Sequence, residues 1–420
     1  MEHQKTKPKA LVRPVTPSKN SSSRGKLVKS PYRASANKVA GKHRSSNSYG
    51  GMQSERSLGL LKESQSKSLL KSPYDAQRKD LKSAASHRKS SSVAERPSSI
   101  PLTGPEFTHQ RKFSMGGSGI NAVNCFSFKT MTGYMPGNPA KVNQDSFIAI
   151  QSLTNDSSLF AVADGHGING KNVSNYIKDR FPILLKRDNL LLSNPRKSFT
   201  QNAARINNEL QKQDFDVNFS GSTFVSVFMR NKKLWCANIG DSRAFIARQL
   251  PDNYNSHKSL TGKSSGNHWM SIALSRDHKP NEVDESARIL KHGGRVEAYQ
   301  DEHGNPFGPS RVWLKSQNIP GLAMSRSFGD RVAGTVGVIS EPEILEFDLA
   351  PVDKFIVIGS DGVFEFMSNE DVLKLVVPYW RINDVVGASE ALAKEAKHRW
   401  MKEEEVIDDI TCVVIFLSVP

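Results

Sequence analysis

The sequence predicts an α+β domain built on antiparallel sheet and preceded by a long basic tail. Two kinds of pattern and one break in composition carry that expectation. Short apolar runs punctuated by Gly and Asp pair off as hairpins after about residue 121. A helical segment, "NEVDESARILKHGGRV", stands among them. The first 120 residues share neither texture.

The break shows most clearly in charge. Of 58 Lys+Arg and 42 Asp+Glu, 24 and 7 fall within residues 1–120, leaving 34 and 35 for the remainder. The whole excess of +16 therefore sits in a Ser-, Lys-, Arg- and Pro-rich segment that cannot bury enough apolar surface to offset its ordering entropy. Residues 1–118 are expected to be a disordered tail, and residues 119–420 a folded domain. The tail repeats itself in "VKSPYRAS" around Ser30 and "LKSPYDAQ" around Ser72, and carries "HRKSSS" and "RKFSM". Three uses stay open for it: phosphorylation by proline-directed or basic-directed kinases, attachment to an acidic surface, and plain solubilisation. Nucleic acid is not the expected partner, because base-stacking aromatics are nearly missing from the tail.

No apolar run approaches the length of a membrane span. The start, "MEHQKTKPKA", has no apolar core for a secretory signal, and Glu2 stands where myristoylation needs glycine, so neither signal nor lipid anchor is expected. Cys125, Cys236 and Cys412 are isolated and odd in number, which fits small core residues in a reducing, intracellular compartment, cytoplasmic or nuclear.

Within the domain, "SFIAI" (146–150) and "LFAVA" (159–163) read as two strands of an antiparallel hairpin joined by the polar turn "QSLTNDSS". Asp145 precedes the first and Asp164 follows the second, so the pairing sets both carboxylates on one edge. The pattern recurs. "KFIVIGSDG" ends in Asp361, and "DDITCVVIFL" begins at Asp408 and Asp409. "STFVSVFM" and "KLWCANIGDSR" form another alternating pair, with Asp241 in the turn that follows. Between motifs, Asn281 is the expected N-cap of a helix that Gly293 stops, and "DNYNSHKSLTGKSSGNHW" is expected to be a surface loop.

An Asp beside Gly is an ordinary turn residue, and each acid alone means little. Several gathered at one rim repel one another unless a cation neutralises them. An all-oxygen set of carboxylates, carbonyls and waters suits Mg2+ or Mn2+. In "FAVADGHG", Asp164 would bridge two ions, Gly165 would bring its backbone carbonyl to one, and His166 would donate a proton to a departing alkoxide; a plain turn histidine is the alternative.

Taken in order, "NQDSF", "FAVADGHG", "FSGSTFVSV", "CANIGDSRAFIA", "LSRDHKP", "GLAMSRSFGD", "ISEPEI", "FIVIGSDGVFEFMS" and "DDITCVVIFL" resemble the metal-dependent protein serine/threonine phosphatases of the PP2C type over residues 121–420. The resemblance implies two antiparallel β-sheets packed as a sandwich flanked by α-helices, with two metal ions in a cleft at one end. It implies that Asp164 bridges the ions, that Gly165, Asp361 and Asp408 complete the site, that Asp145 acts through water, that His166 is the general acid, and that Asp241 serves a third, weaker ion. Asp330 matches a position near the cleft. The implied reaction is direct attack of a metal-bridging hydroxide on phosphoserine or phosphothreonine of a protein substrate, with no covalent enzyme intermediate and a monomeric enzyme.

The chain departs from the family pattern at three places. Gln144 stands where a second acid is common, keeping an oxygen but no charge. Lys141 replaces an arginine as the available phosphate cation, without the bidentate fork. Glu365 replaces an aspartate and is not expected to touch a metal. The alternative implied by these departures is a weak or inactive family member that serves as a binding module.

Overall fold

The computed structural model describes residues 107–112, 122–250 and 268–420, all within one compact unit, Ser68–Pro420. Its larger sheet runs in the order β1 (Phe107–Lys112), β2 (Val123–Met131), β17 (Ile410–Leu417), β16 (Asp353–Gly359), β9 (Arg243–Leu250), β10 (His268–Ala273). The second runs β15 (Glu343–Asp348), β8 (Lys233–Ile239), β7 (Phe224–Arg230), β4 (Ser157–Ala163), β3 (Ser146–Thr154). Every neighbouring pair in both is antiparallel.

Phe126, Phe160, Val227, Ile246, Ile358 and Val413 form the core between the sheets. Helices α1 (Gly170–Arg187) and α2 (Pro195–Leu210) cover the outer face of the five-stranded sheet through Ile177, Phe181, Phe199 and Ile206. On the far side α5 (Asp361–Phe364), α6 (Asn369–Arg381) and α7 (Val385–Glu403) pack Val363, Val376 and Leu392 against Phe355 and Phe416. The four layers are those expected.

This layering explains the unbroken apolar run of β17. Val413, Ile415 and Leu417 face the core between the sheets, while Cys412, Val414 and Phe416 face the helices, so alternation has no polar side to show. Each such side chain contributes about 1.5–3 kcal/mol by leaving water. Helix α6 starts where Ser368 accepts from the Asp371 N–H at 3.2 Å and Asp371 accepts from the Ser368 N–H at 3.0 Å, a reciprocal cap. Cys125, Cys236 and Cys412 are all buried.

Some expectations change. The turn between the first two strands shrinks to Asn155–Asp156: Leu153 is buried, which carries β3 on to Thr154. Phe107–Lys112, inside the stretch assigned to the tail, pairs with β2 as an edge strand; the other residues of that stretch, with Ser30 and Ser72, lie outside the described ones. Helix α3 (Val283–Lys291) is capped at Glu282 and not Asn281, because Glu282 is the residue with extended backbone before the first turn; Gly293, at φ +81°, ends it as expected. Most of the expected surface loop, through residue 267, lies outside the described residues. His268 and Trp269 belong to β10, since Trp269 packs on the core. Among the described residues no helix is long and apolar enough to cross a membrane.

Candidate active site

Strand register brings the acids together. Ser146 pairs with Ala163 at the end of the β3–β4 hairpin, so Asp145 and Asp164, one step further out, stand side by side. In the other sheet Gly359 pairs with Cys412; Ser360 and Asp361 follow the one strand, and Asp408 and Asp409 precede the start of the other at Ile410. The two sheets meet at this rim: Ser360 Oγ donates to Asp145 Oδ2 at 2.9 Å.

The rim is electrostatically unfavourable as a set of bare carboxylates. Burial and then the Asp409 charge push Asp145 up to about 7, against hydrogen bonds from Thr411 and Ser360. Asp164 is held far above the ordinary carboxylate range by burial, Asp145 and Asp361. Asp361 is held there by burial, Asp408 and Asp241. Asp408 is raised by burial, opposed by Lys141 and reinforced by Asp409; with 46% of its side chain exposed, solvent screens much of that shift. Asp145, Asp241 and Asp361 each keep a buried Oδ1 without a hydrogen-bond partner.

Among the described residues no three His, Cys, Asp or Glu side chains form a finished metal cage. The chemistry of the rim nevertheless fits a hard divalent ion, whose shell takes carbonyls and waters as readily as carboxylates. Gly165 adds to the fit: a Cβ there would run into the Gly170 carbonyl oxygen, so only glycine lets the backbone crowd this corner.

His166 is placed by three short strands. β5 (Gly165–His166) pairs with β6 (Gly221–Ser222), which pairs with β14 (Phe328–Gly329). Asp330 follows β14 in a left-handed conformation, φ +43°, and its Oδ2 lies 2.6 Å from His166 Nε2. Burial opposes a charge on this imidazole, but the Asp330 carboxylate outweighs it and raises the His166 pKa. The rim thus joins opposed carboxylates to a histidine primed to hold a proton.

Residues 136–403 match the family described as Protein phosphatase 2C. The chain belongs to that family. It is 32% identical over 306 residues to "Probable protein phosphatase 2C 35" of Arabidopsis thaliana, covering 69% of this chain and 83% of the relative. It is 33% identical to "Probable protein phosphatase 2C 72" of the same plant, covering 66% and 82%. A crystal structure of serine-threonine phosphatase 2C from Toxoplasma gondii shares the fold, with TM-score 0.58, 18% identity, 75% of this chain and 100% of that one. As a protein phosphatase 2C, the chain is a metal-dependent protein serine/threonine phosphatase.

In this phosphatase 2C, Lys141 and Lys279 are paired with acids of the rim. Lys141 Nζ lies 2.5 Å from Asp409 Oδ1 and 3.9 Å from Asp408 Oδ1. Asp409 also accepts from the backbone N–H groups of Gly133 and Gln144, both at 2.8 Å. Lys279 Nζ lies 2.5 Å from Asp241 Oδ2. Gln144 turns its amide nitrogen to the Gly167 carbonyl at 2.7 Å, bracing the loop after His166. Lys171 Nζ donates to the Asp145 carbonyl at 2.9 Å.

The expected residues Lys141, Asp145, Asp164, Gly165, His166, Asp241, Asp361 and Asp408 therefore gather at one rim. Sequence patterns missed Ser360, Lys279 and the binding role of Asp409. Asp409 was visible beside Asp408, but only the register of β17 shows which of two adjacent acids turns toward Lys141.

Proposed function

We propose that this chain hydrolyses phosphoserine and phosphothreonine on proteins at the Asp145–Asp164–Asp361–Asp408 rim. The gathering of Asp145, Asp164, Asp361 and Asp408 at one rim carries this reading, because ionising these acids together requires a cation between or beside them. Asp164, the Gly165 carbonyl, Asp361 and Asp408 would hold two Mg2+ or Mn2+ ions, with Asp145 acting through water and Asp241 available to a third. When bound, such ions screen the phosphoryl oxygens and lower the pKa of water at the site.

The chain's own groups perform the rest. Lys141, held by Asp409, faces the substrate phosphate as a fixed positive charge. His166, held through Nε2 by Asp330, delivers its Nδ1–H proton to the Ser or Thr oxygen as the P–O bond breaks, so that a neutral alcohol leaves. The Nδ1 atom is buried and has no protein partner, which leaves it available to a leaving group. No buried thiol is placed for covalent catalysis: Cys236 and Cys412 lie within strands, and burial pushes both thiols far from ionisation.

The test is phosphate release from a phosphothreonine peptide by the full chain with Mn2+, with Mg2+ and with EDTA, beside Asp361→Ala. Release that needs metal and vanishes in the variant is the expected result. A folded protein that releases nothing with either ion overturns it.

A further inference from the structure

Glu285 has no obvious place in a hydrolytic site, yet its carboxylate is completely buried in a cage of cations. Arg288 binds it through two nitrogens at 2.8 and 2.7 Å, and Arg326 reaches it at 2.7 Å. Ser325 Oγ donates to it at 2.5 Å. Burial alone would raise this acid; the two guanidinium groups and the hydroxyl instead hold it far below the usual carboxylate range.

The cage grips two chain segments that both reach the rim. Ser325 N–H donates to the His278 carbonyl at 2.8 Å, and Arg288 donates to the Ser325 carbonyl at 2.8 Å. Ser325 and Arg326 lead directly into β14 and Asp330, whose carboxylate holds His166. His278 precedes Lys279, which holds Asp241. Asp330 itself keeps an unfavourable left-handed backbone, so its geometry depends on a firmly fixed approach.

We propose that Glu285 is a positioning residue that sets the aim of His166 through Ser325, Arg326 and Asp330. This rests on His166 being the acid that protonates the leaving group. A buried carboxylate between two guanidinium groups adds little net stability over an apolar core, but it admits one geometry. Geometry is what a proton donor needs, since a displacement of about 1 Å can cost about a hundredfold in rate.

The chemistry supplies a readout that a general loss of stability would not move. A phosphothreonine ester leaves as a poor alkoxide and needs the proton; para-nitrophenyl phosphate leaves as a stabilised phenolate and does not. The measured quantity is the ratio of kcat for peptide to kcat for aryl phosphate, at saturating Mn2+, in the full chain. In His166→Ala the ratio is expected to fall by about 100-fold. In Glu285→Gln and Arg326→Lys, which spoil the bidentate grip, it is expected to fall by about 3- to 10-fold. In the Glu285→Gln/His166→Ala double variant it should fall no further than in His166→Ala alone.

An unchanged ratio in folded Glu285→Gln and Arg326→Lys overturns the proposal, as does a double variant in which the two losses multiply. Should Glu285→Gln fail to fold, Arg326→Lys and Ser325→Ala decide the matter on the same ratio. Should His166→Ala itself leave the ratio at the wild-type value, the acid assignment falls first and this positioning role with it.

Discussion

Asp330 Oδ2 sits 2.6 Å from His166 Nε2, although 164 residues separate the two in the chain. The contact depends on β14, β6 and β5 lying side by side, with Gly221 between them; a Cβ on Gly221 would collide with the Asp330 carboxylate. Asp330→Asn keeps the shape and tolerates the left-handed backbone but loses the charge that favours imidazolium. Turnover of a phosphothreonine peptide is expected to drop by about 10- to 100-fold in this variant, with melting temperature little changed. A rate within twofold of wild type would show that the pair is not used in turnover.

Removing metal should make the fold sensitive to pH in an unusual direction. Asp145 is raised to about 7 from an ordinary 3.8, and Asp164 and Asp361 are raised further, so their charged forms are less favourable in the folded chain than in the unfolded one. Stability is therefore greatest where they are protonated and declines as pH climbs from about 4 through 7 and beyond. His166, also raised, acts with the same sign. Melting curves in EDTA at pH 5, 6, 7 and 8 should show Tm falling stepwise, and saturating Mn2+ should flatten the trend. A metal-free Tm that rises over this window would contradict the site described.

Asp361→Asn separates stability from metal binding. Without metal it removes one of the mutually repelling acids, and the variant is expected to be more stable than wild type by about 1 kcal/mol at pH 8. Mn2+, which should raise the wild-type Tm by binding only the folded chain, should move the variant far less. Calorimetric titration with Mn2+ checks the same point without reference to activity.

Lys141 has a structural partner as well as a catalytic task. Asp409 is only 4% exposed, so Lys141→Met leaves a buried carboxylate supported by two backbone N–H groups alone. A loss of about 3 kcal/mol is expected in urea unfolding, largely recovered when Asp409→Asn is added. Activity should recover in neither variant, because the positive charge is gone in both.

Gly165→Ala tests the crowded corner. The added methyl group meets the Gly170 carbonyl oxygen and approaches the Gln144 carbonyl at 2.7 Å, both backbone atoms that cannot swing aside. Peptide hydrolysis should be lost, with a destabilisation of about 2 kcal/mol or more. Near-normal rates would mean the β5 segment relaxes easily.

How much of this was written in local sequence follows from the range of the forces involved. Alternation and turn residues report which face a residue takes and where a strand ends, so the hairpins, the buried β17 and the acids at strand ends were legible, as Asp145 and Asp164 show. The helix cap slipped by one residue and Trp269 moved from loop to strand, because caps and edge strands depend on what packs against them. The partners of the site were not legible at all. That Lys141 hydrogen-bonds Asp409, that Lys279 reaches Asp241, that Ser360 binds Asp145 and that Arg326 reaches Glu285 are pairings across 38 to 268 residues. The sequence by itself determined the strands and placed acids at their ends; tertiary structure alone decided which charge meets which, since closure of the two sheets sets those distances.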